Sequence, residues 1–368
     1  MRLMPGLARA QVTMYMPAAH ASTLATYDPR TAVSAIIVNW NGREHLETCI
    51  ESIRQQTLSN IEIIVVDNGS TDASVDFVRA RFGAGVVLIE HPSNLGYGRA
   101  LNDGIRVAVG RYLVALNNDV EVAPTCFAAL VEAADRYPNA AFCSPKILSF
   151  FDRSVIDNVG HLLYLDGLSR GRGRLEPDRG QYDCSDEIVG PSGCAVLLRR
   201  AMLVDVGLFD EKLFAYCEDT DLGLRARLAG WTCRSVPQAV VYHKYSASTT
   251  EYSPLKAFLV ERNRAWVAVK CLPLPLLLAS PVFTALRLGA QAFGVVSRRG
   301  AAGQFAAQHS PGALLAILLR AWWAALRGLP RAWRERRMVQ RSRRLSVLDS
   351  TRILWRYRMG VREIALKE

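Results

Sequence analysis

Between residues 33 and 137, short and nearly unbroken apolar runs alternate with segments whose apolar residues recur at helical spacing, and few folds accept that alternation. The runs are Val33–Asn39 (VSAIIVN), Ile61–Val66 (IEIIVV), Val86–Ile89 and Tyr112–Leu116 (YLVAL). Continuous apolar stretches of this length fit strands buried on both faces. Between them lie Glu44–Gln56, with Leu46, Ile50 and Ile53 on one helical face, then Asp72–Arg81 and Leu95–Val109. Pro124–Tyr137 follows as a helix with proline in its first turn. Strand and helix at this tempo describe βαβ units, and so an α/β fold with a mostly parallel sheet covered on both sides. Ligands of such sheets bind outside the carboxyl ends of the strands. Here those ends carry Asn39, Asp67, Asn94 and Asn117-Asn118-Asp119.

Beyond residue 150 the pattern loosens. Phe150–Asp186 is rich in Gly, Arg and Asp and reads as loops and a hairpin. Order returns with a strand over Gly190–Arg199, a short helix, a helix opened by Glu218-Asp219-Thr220-Asp221 and stopped at Gly230, and a strand over Trp231–Tyr242 that His243 follows. After Pro273 the character changes again. Cys271–Leu286 carries no charge, and Arg287 is expected to interrupt it short of the roughly 20 residues a span needs. Leu314–Leu329 (LLAILLRAWWAALRGL) has Arg320 and Arg327 on one helical face, and an arginine-dense stretch, Arg331–Arg344, comes next. Apolar face, tryptophans and arginine flank together describe a helix lying in a membrane interface.

Charge follows the same division. The net +11 resides in the tail, where 17 Arg/Lys stand against 4 Asp/Glu from Arg287 onward, and the preceding 286 residues are close to neutral. A basic, amphipathic tail points to an anionic membrane surface. The eight cysteines form no CxxC pair, so neither a zinc site nor a disulfide framework is indicated, and a reducing compartment is expected. Residues 1–30 read as a loose leader with Pro5, Pro17 and Pro29 and without the apolar run of a signal peptide. The expected division is therefore 1–30 leader, 31–270 catalytic body and 271–368 membrane-associating helices.

The carboxylates at the sheet edge carry the chemistry. Asp119, after YLVAL and the turn Asn117-Asn118, sits where a metal ligand would, although an Asp in an ordinary turn looks the same. Asp67, inside DNGSTD, suits a nucleobase or ribose contact and equally a turn or cap. Asn94 and Arg99 in NLGYGRALN could approach phosphate, with Gly96 and Gly98 admitting the backbone. Successive helical residues diverge by about 100°, so only one or two of Glu218, Asp219 and Asp221 can face a common site. His243 could complete a metal shell or serve the core.

The succession VSAIIVNWNG, IEIIVVDNGSTD, NLGYGRALNDGI, LVALNNDVEVAP, GCAVLLRRAMLVDVGLFDEKLF, YCEDTDLGLRARLAGW and VYHKYSAS resembles glycosyltransferase family 2, and within it the rhamnosyltransferase-like branch, over about residues 33–270. The resemblance implies a GT-A domain and an inverting transfer of a sugar from a nucleotide-sugar. It implies that Asp67 contacts the nucleoside, with Asn39, Asn94, Arg99, Asn117 and Asn118 around the donor. Asp119 would be the metal-binding carboxylate of a DXD-type motif. That motif here reads Asn117-Asn118-Asp119, so a divalent cation (Mg2+ or Mn2+) would rest on Asp119, His243 and donor phosphate oxygens. Asp219 would be the base, with Glu218 as the fallback. Arg262 and Arg264 in ERNRAW fall where relatives carry a phosphate- or acceptor-facing segment, and equally suit a solvated pair. QxxRW is absent, which favours addition of one or a few sugars over polymerisation.

The branch points to dTDP-rhamnose as donor, with UDP-hexoses open, and to a lipid-linked saccharide acceptor at the cytoplasmic face of the inner membrane, in cell-envelope polysaccharide synthesis. A nucleotidyltransferase would want a Gly-rich phosphate loop with Arg and Lys after the first strand, where Trp40-Asn41-Gly42-Arg43 stands instead. Nucleic acid is not an expected partner, because the tail's arginines alternate with Leu, Trp and Ile rather than forming a recognised binding module.

Overall fold

A computed structural model of the chain describes residues 24–184, 186–244 and 253–366. Most of the leader and residues 245–248 of the last motif fall outside them. The first half is the expected alternation: β1 (Val33–Asn39), α1 (Arg43–Arg54), β2 (Ile61–Asp67), α2 (Ser74–Phe82), β3 (Val87–Glu90), α3 (Tyr97–Val107) and β4 (Tyr112–Asn117). Then come β5 (Val120–Val122), α4 (Cys126–Arg136), β6 (Ala140–Ser149), β7 (Ile156–Asn158) and the hairpin β8 (His161–Leu163) and β9 (Ser169–Gly171). β10 (Ala195–Arg199), α5 (Arg200–Val206), α6 (Glu218–Leu228) and β11 (Thr232–His243) complete the sheet region. The C-terminal layer is α7 (Pro254–Cys271), α8 (Leu274–Ser297), α9 (Gly300–Gln308), α10 (Pro311–Ser342), α11 (Val347–Arg356) and α12 (Val361–Leu366).

The main sheet runs β3-β2-β1-β4-β10-β6-β11-β5, with β7 on β6. The pairs among β3, β2, β1 and β4 are parallel, β10 is antiparallel to both its neighbours, and β11 is parallel to β6. Every residue of β1 is buried. Val33, Ala35 and Ile37 enter one core with α1, α2 and α4, while Ile36 and Val38 enter a second with α3, α5 and α6. A strand feeding two cores gains about 1.5–3 kcal/mol from each fully buried large apolar side chain, on both faces, which is why it reads as a continuous apolar run.

Three elements differ from expectation. β6, ten residues long and central, was not anticipated: its AAFCSPKILS includes a proline and a lysine, which mask the apolar run. The strand expected over Gly190–Arg199 is regular only from Ala195, because Gly190–Cys194 crosses the sheet edge as loop. Nor does Arg287 interrupt the apolar stretch after Pro273. α8 continues through it for 24 residues because the guanidinium faces inward to Asp166 (2.7 Å) and Glu261 (2.9 Å).

A third core joins the C-terminal layer to the sheet region, with Leu163, Leu213 and Leu224 on one side and Trp266, Val267, Ala332 and Leu354 on the other. α7 and α10 begin at Ser-Pro pairs: Ser253 and Ser310 accept from the backbone N–H three residues on, and Pro254 and Pro311 occupy the first helical position. α10 lies along α7, where Trp266 Nε1 donates to the Ala325 carbonyl at 3.0 Å. The outer face stays apolar. Leu278, Val282, Leu286 and Phe293 of α8 and Leu315, Leu319, Trp323 and Leu326 of α10 are exposed, at spacings that align them along one side of each helix. Among the described residues, α8 and α10 are the two helices long and apolar enough to cross a membrane by length and composition.

Candidate active site

Strand register gathers the polar residues. Asn39 pairs with Asp67, Val38 with Asn117, and His243 with Val120, so the carboxyl ends of β1, β2, β4 and β11 meet at one edge. Asn39, fully buried, donates from Nδ2 to Asp67 Oδ1 (2.9 Å) and accepts from Asn118 Nδ2 (2.7 Å). Asp67 Oδ2 accepts the Ser70 N–H at 2.9 Å. Gly42 leaves room for this cluster, since a Cβ there would lie 1.9 Å from Asn118 Nδ2.

Asp119 is buried behind the cluster. Its Oδ1 is ion-paired with His243 Nε2 at 3.3 Å and accepts no hydrogen bond among the described residues. His243 Nδ1 bonds Asp157 Oδ2 (2.7 Å), and Asp157 Oδ1 in turn takes Arg174 Nη1 (2.8 Å). Burial alone would raise the Asp119 carboxyl; the pull of His243 outweighs it and holds the group below the usual carboxylate range. Burial alone would lower the His243 imidazole, but Cys194, Asp119 and Asp157 hold it well above its ordinary value. A carboxylate behind a histidine that faces a second carboxylate is the support a metal-ligating imidazole needs. Among the described residues no group of three or more His, Cys, Asp or Glu could hold a metal by itself. Asp119 and His243 therefore fit a cation only as a pair that leaves the rest of the shell to substrate oxygens and water, which is how Mg2+ is usually bound beside phosphates.

The second acidic pair stands across the loop before β10. Gly193 N–H donates to Asp219 Oδ2 (2.9 Å), and the next residue's carbonyl, that of Cys194, accepts from Asn117 N–H (2.9 Å). One dipeptide thus ties Asp219 to the end of β4. His161, from the hairpin, brings Nε2 to 3.6 Å from Asp219 Oδ2. Glu218 is buried with Oε2 unpartnered among the described residues, and its carboxyl is pushed up to about 8, first by burial and then by Asp219 and Asp221. Asp221 is fully buried between Lys270 (2.6 Å) and Arg225 (2.9 Å), which assigns it to structure.

The approach to Glu218 and Asp219 is unusual. Leu213–Ala215 closes with Ala215 N–H to Leu213 C=O (2.9 Å) over Phe214 at φ 68°, ψ −65°, a γ-turn of the rare positive-φ kind. Tyr216 (φ 67°) and Cys217 (φ 68°) follow, so three of the eight non-glycine residues with positive φ among the described residues immediately precede this acidic pair. Each such residue costs about 1–3 kcal/mol and persists only where its surroundings over-determine it. Part of that surrounding is the NLGYG turn. Tyr97 N–H donates to the Phe214 carbonyl (2.6 Å), Tyr97 Oη donates to the Gly193 carbonyl (2.9 Å), and Gly96 sits so close that a Cβ would meet Phe214 O at 2.6 Å.

Not every candidate is brought to this edge. Asn94 Oδ1 accepts from Gly96 N–H (2.9 Å) and Asn68 Nδ2 (3.0 Å), shaping the turn. Arg99 is held by Asp103 (2.7 Å) and Glu211 (3.3 Å) on α3's flank. Arg262 donates to Leu213 C=O (2.9 Å) and stacks over Trp266. Arg264 is buried against Glu261 and Asp166. Asn68, Tyr97, Asp157, His161 and Asn263 carry the site's geometry and were not singled out from sequence. The signal available for Asn68 was its place beside Asp67; Asp157 and His161 sat in a segment without periodicity.

The strands β3, β2, β1 and β4 are parallel, and the paired carboxylates stand at the carboxyl edge of this α/β sheet. A family model described as Glycosyl transferase family 2 matches residues 34–207. The N-acetylglucosaminyl-diphospho-decaprenol L-rhamnosyltransferase of Mycobacterium tuberculosis is 30% identical over 262 residues, covering 63% of this chain and 85% of that one. An uncharacterised glycosyltransferase of Rickettsia typhi is 29% identical over 197 residues, 54% of this chain and 58% of its own. Among solved structures, GalNAc-T7 with UDP, GalNAc and Mn2+ superposes with a TM-score of 0.54 at 18% identity, over 66% of this chain and 48% of that one, and shares the fold. The chain belongs to glycosyl transferase family 2, in its rhamnosyltransferase-like branch, and is a glycosyltransferase.

Proposed function

We propose that this glycosyltransferase moves one sugar from a nucleoside diphosphate donor to a hydroxyl of a lipid-linked saccharide, with inversion at the anomeric carbon, in cell-envelope polysaccharide synthesis at the cytoplasmic face of the inner membrane. The observation that carries the reading is the Gly193-Cys194 bridge, which joins Asp219 to the strand end beside Asp119. In the step, Asp219 takes the proton of the acceptor hydroxyl as its oxygen bonds to the anomeric carbon. The bond from that carbon to the phosphate oxygen breaks, and the nucleoside diphosphate leaves with the electron pair. Asn39, Asp67, Asn117 and Asn118 orient the donor. A divalent cation, Mg2+ or Mn2+, held by Asp119 and His243 would supply charge neutralisation to the leaving diphosphate.

Rhamnose from dTDP-rhamnose is the donor sugar we assign, supported by the mycobacterial relative whose name specifies L-rhamnosyl transfer to a polyprenyl-linked N-acetylglucosamine. Residues 31–270 serve transfer and 271–368 serve the membrane. In support of the latter, α8 and α10 keep large apolar side chains exposed while Arg298, Arg299, Arg320 and Arg327 offer charge to an anionic leaflet.

The test is nucleoside diphosphate release by detergent-solubilised protein with Mn2+ and a panel of dTDP-, UDP- and GDP-sugars, with a polyprenyl diphosphate-linked N-acetylglucosamine as acceptor. Turnover of dTDP-rhamnose alone is expected, falling by about 10²–10³ in Asp119→Ala. Turnover of a UDP-sugar instead would replace the donor assignment, and failure to bind any nucleotide-sugar by calorimetry would sink the reading.

A further inference from the structure

Asn263 lies on α7, one helical layer away from the sheet edge, and is fully buried. Its Nδ2 donates to three carbonyls of a single turn: Leu213 (2.9 Å), Ala215 (2.9 Å) and Tyr216 (2.8 Å). Its Oδ1 accepts Arg262 Nε (2.9 Å), which fixes the amide's orientation, and Arg262 Nη2 adds a further bond to Leu213 C=O (2.9 Å). The turn so held is the positive-φ passage Phe214, Tyr216, Cys217, and it ends on Glu218 and Asp219. Such backbone relaxes unless something outside it compensates. An amide has two N–H groups, so three convergent acceptors use all its donor capacity on one target. An ordinary buried asparagine satisfying a loop would bond one or two carbonyls. The same turn is also held by Tyr97, whose N–H donates to the Phe214 carbonyl (2.6 Å).

We propose that Asn263 is a positioning residue for transfer: it holds the strained turn that aims Asp219 at the acceptor hydroxyl. The inference rests on Asp219 as the base. It also places the demand on α7, the helix against which the two apolar helices pack.

Two measurements on the full-length protein test it, with Asn263→Ala, Asn263→Ser and Asp219→Asn. Amide hydrogen exchange needs no substrate. Protection of residues 214–219 is expected to fall about tenfold or more in Asn263→Ala, with β1, β2 and β4 unchanged. With dTDP-rhamnose and polyprenyl diphosphate-linked N-acetylglucosamine, kcat is expected to fall about 10²-fold while donor affinity by calorimetry stays within about twofold, since misplacement of a reacting group by 1 Å costs that much. Asn263→Ser, which keeps one donor, should recover part of kcat, and it stands in should the alanine variant not fold. Unchanged exchange at 214–219, or a loss of activity that only tracks the folded fraction, overturns the proposal. Full activity of Asp219→Asn would instead overturn the base assignment. An inactive wild type on this substrate pair would count against the substrate assignment, leaving the exchange result to decide the role of Asn263.

Discussion

Two buried clusters of charge, one at the sheet edge and one under the C-terminal helices, are built from similar groups to different ends. Under the helices, Glu261 and Asp166 meet Arg264 and Arg287, and every carboxylate oxygen of Glu261 is engaged: Oε1 by Arg264, Arg287 (3.1 Å) and Trp322 Nε1 (2.9 Å), Oε2 by Arg264 (2.9 Å) and Arg287 (2.9 Å). At the sheet edge, Asp119 Oδ1 and Glu218 Oε2 are equally buried and accept no hydrogen bond among the described residues. A saturated cluster compensates its own desolvation and serves as a joint, whereas an unsaturated one leaves buried oxygens open to a ligand. Saturation, rather than burial or charge, separates the joint from the site.

The contrast can be broken most forcefully at Asp219. Asp219→Asn keeps shape and removes the base, so kcat is expected to fall about 10²–10⁴-fold with Tm held. Activity within tenfold of wild type would move the base elsewhere, Glu218 first. At the joint the converse is expected. Arg287→Ala removes one of the two guanidiniums that Glu261 and Asp166 share and should cost about 3–5 kcal/mol in denaturant unfolding, with donor affinity of the folded fraction unaltered. A variant as stable as wild type would show that this cluster is no joint.

Asp157→Asn sharpens the edge cluster. It leaves His243 without its carboxylate, and Mn2+ affinity by calorimetry should weaken about 10–100-fold. An unchanged affinity would remove His243 from the metal shell.

The smallest effect concerns Glu218. Its folded carboxyl is raised to about 8 against an unfolded value near 4.5, so the folded state binds the extra proton between those limits. That contribution to stability is fully present below the unfolded value and is lost as pH rises through the folded one. Glu218→Gln should therefore lose less Tm than wild type between about pH 4.5 and 8, and parallel curves would show that Glu218 ionises normally.

Much of this was legible beforehand, for identifiable reasons. β1, β2 and β4 announced themselves because strands buried on both faces are mostly apolar, and their polar terminators Asn39, Asp67 and Asn117 marked the edge directly. β6 did not, because Pro145 and Lys146 stand within it; Lys146 is carried by Asp178 at 2.8 Å, a partner 32 residues away. Arg287 looked like a break in an apolar stretch for the same reason, since the cost of a buried charge shows in the sequence and its counter-ions do not. Arg99, Arg262 and Arg264 have the right type and neighbourhood for phosphate, yet their donors are directed to protein carboxylates and carbonyls. Asp157 and His161 gave no periodic signal, because they come from short strands and turns stabilised by distant contacts.

By itself the sequence determined the α/β layering, the polar strand ends, the family and the basic, apolar tail, because these follow from local periodicity and from residue types at turns. Tertiary structure alone decided which carboxylates stay unsatisfied, which arginines are spent on the fold, and that Asn263 reaches across from α7 to the turn before Asp219. Those outcomes depend on pairings such as Asn263 with Leu213, 50 positions apart, and Arg287 with Asp166, 121 positions apart, and such pairings exist only once the chain has closed on itself.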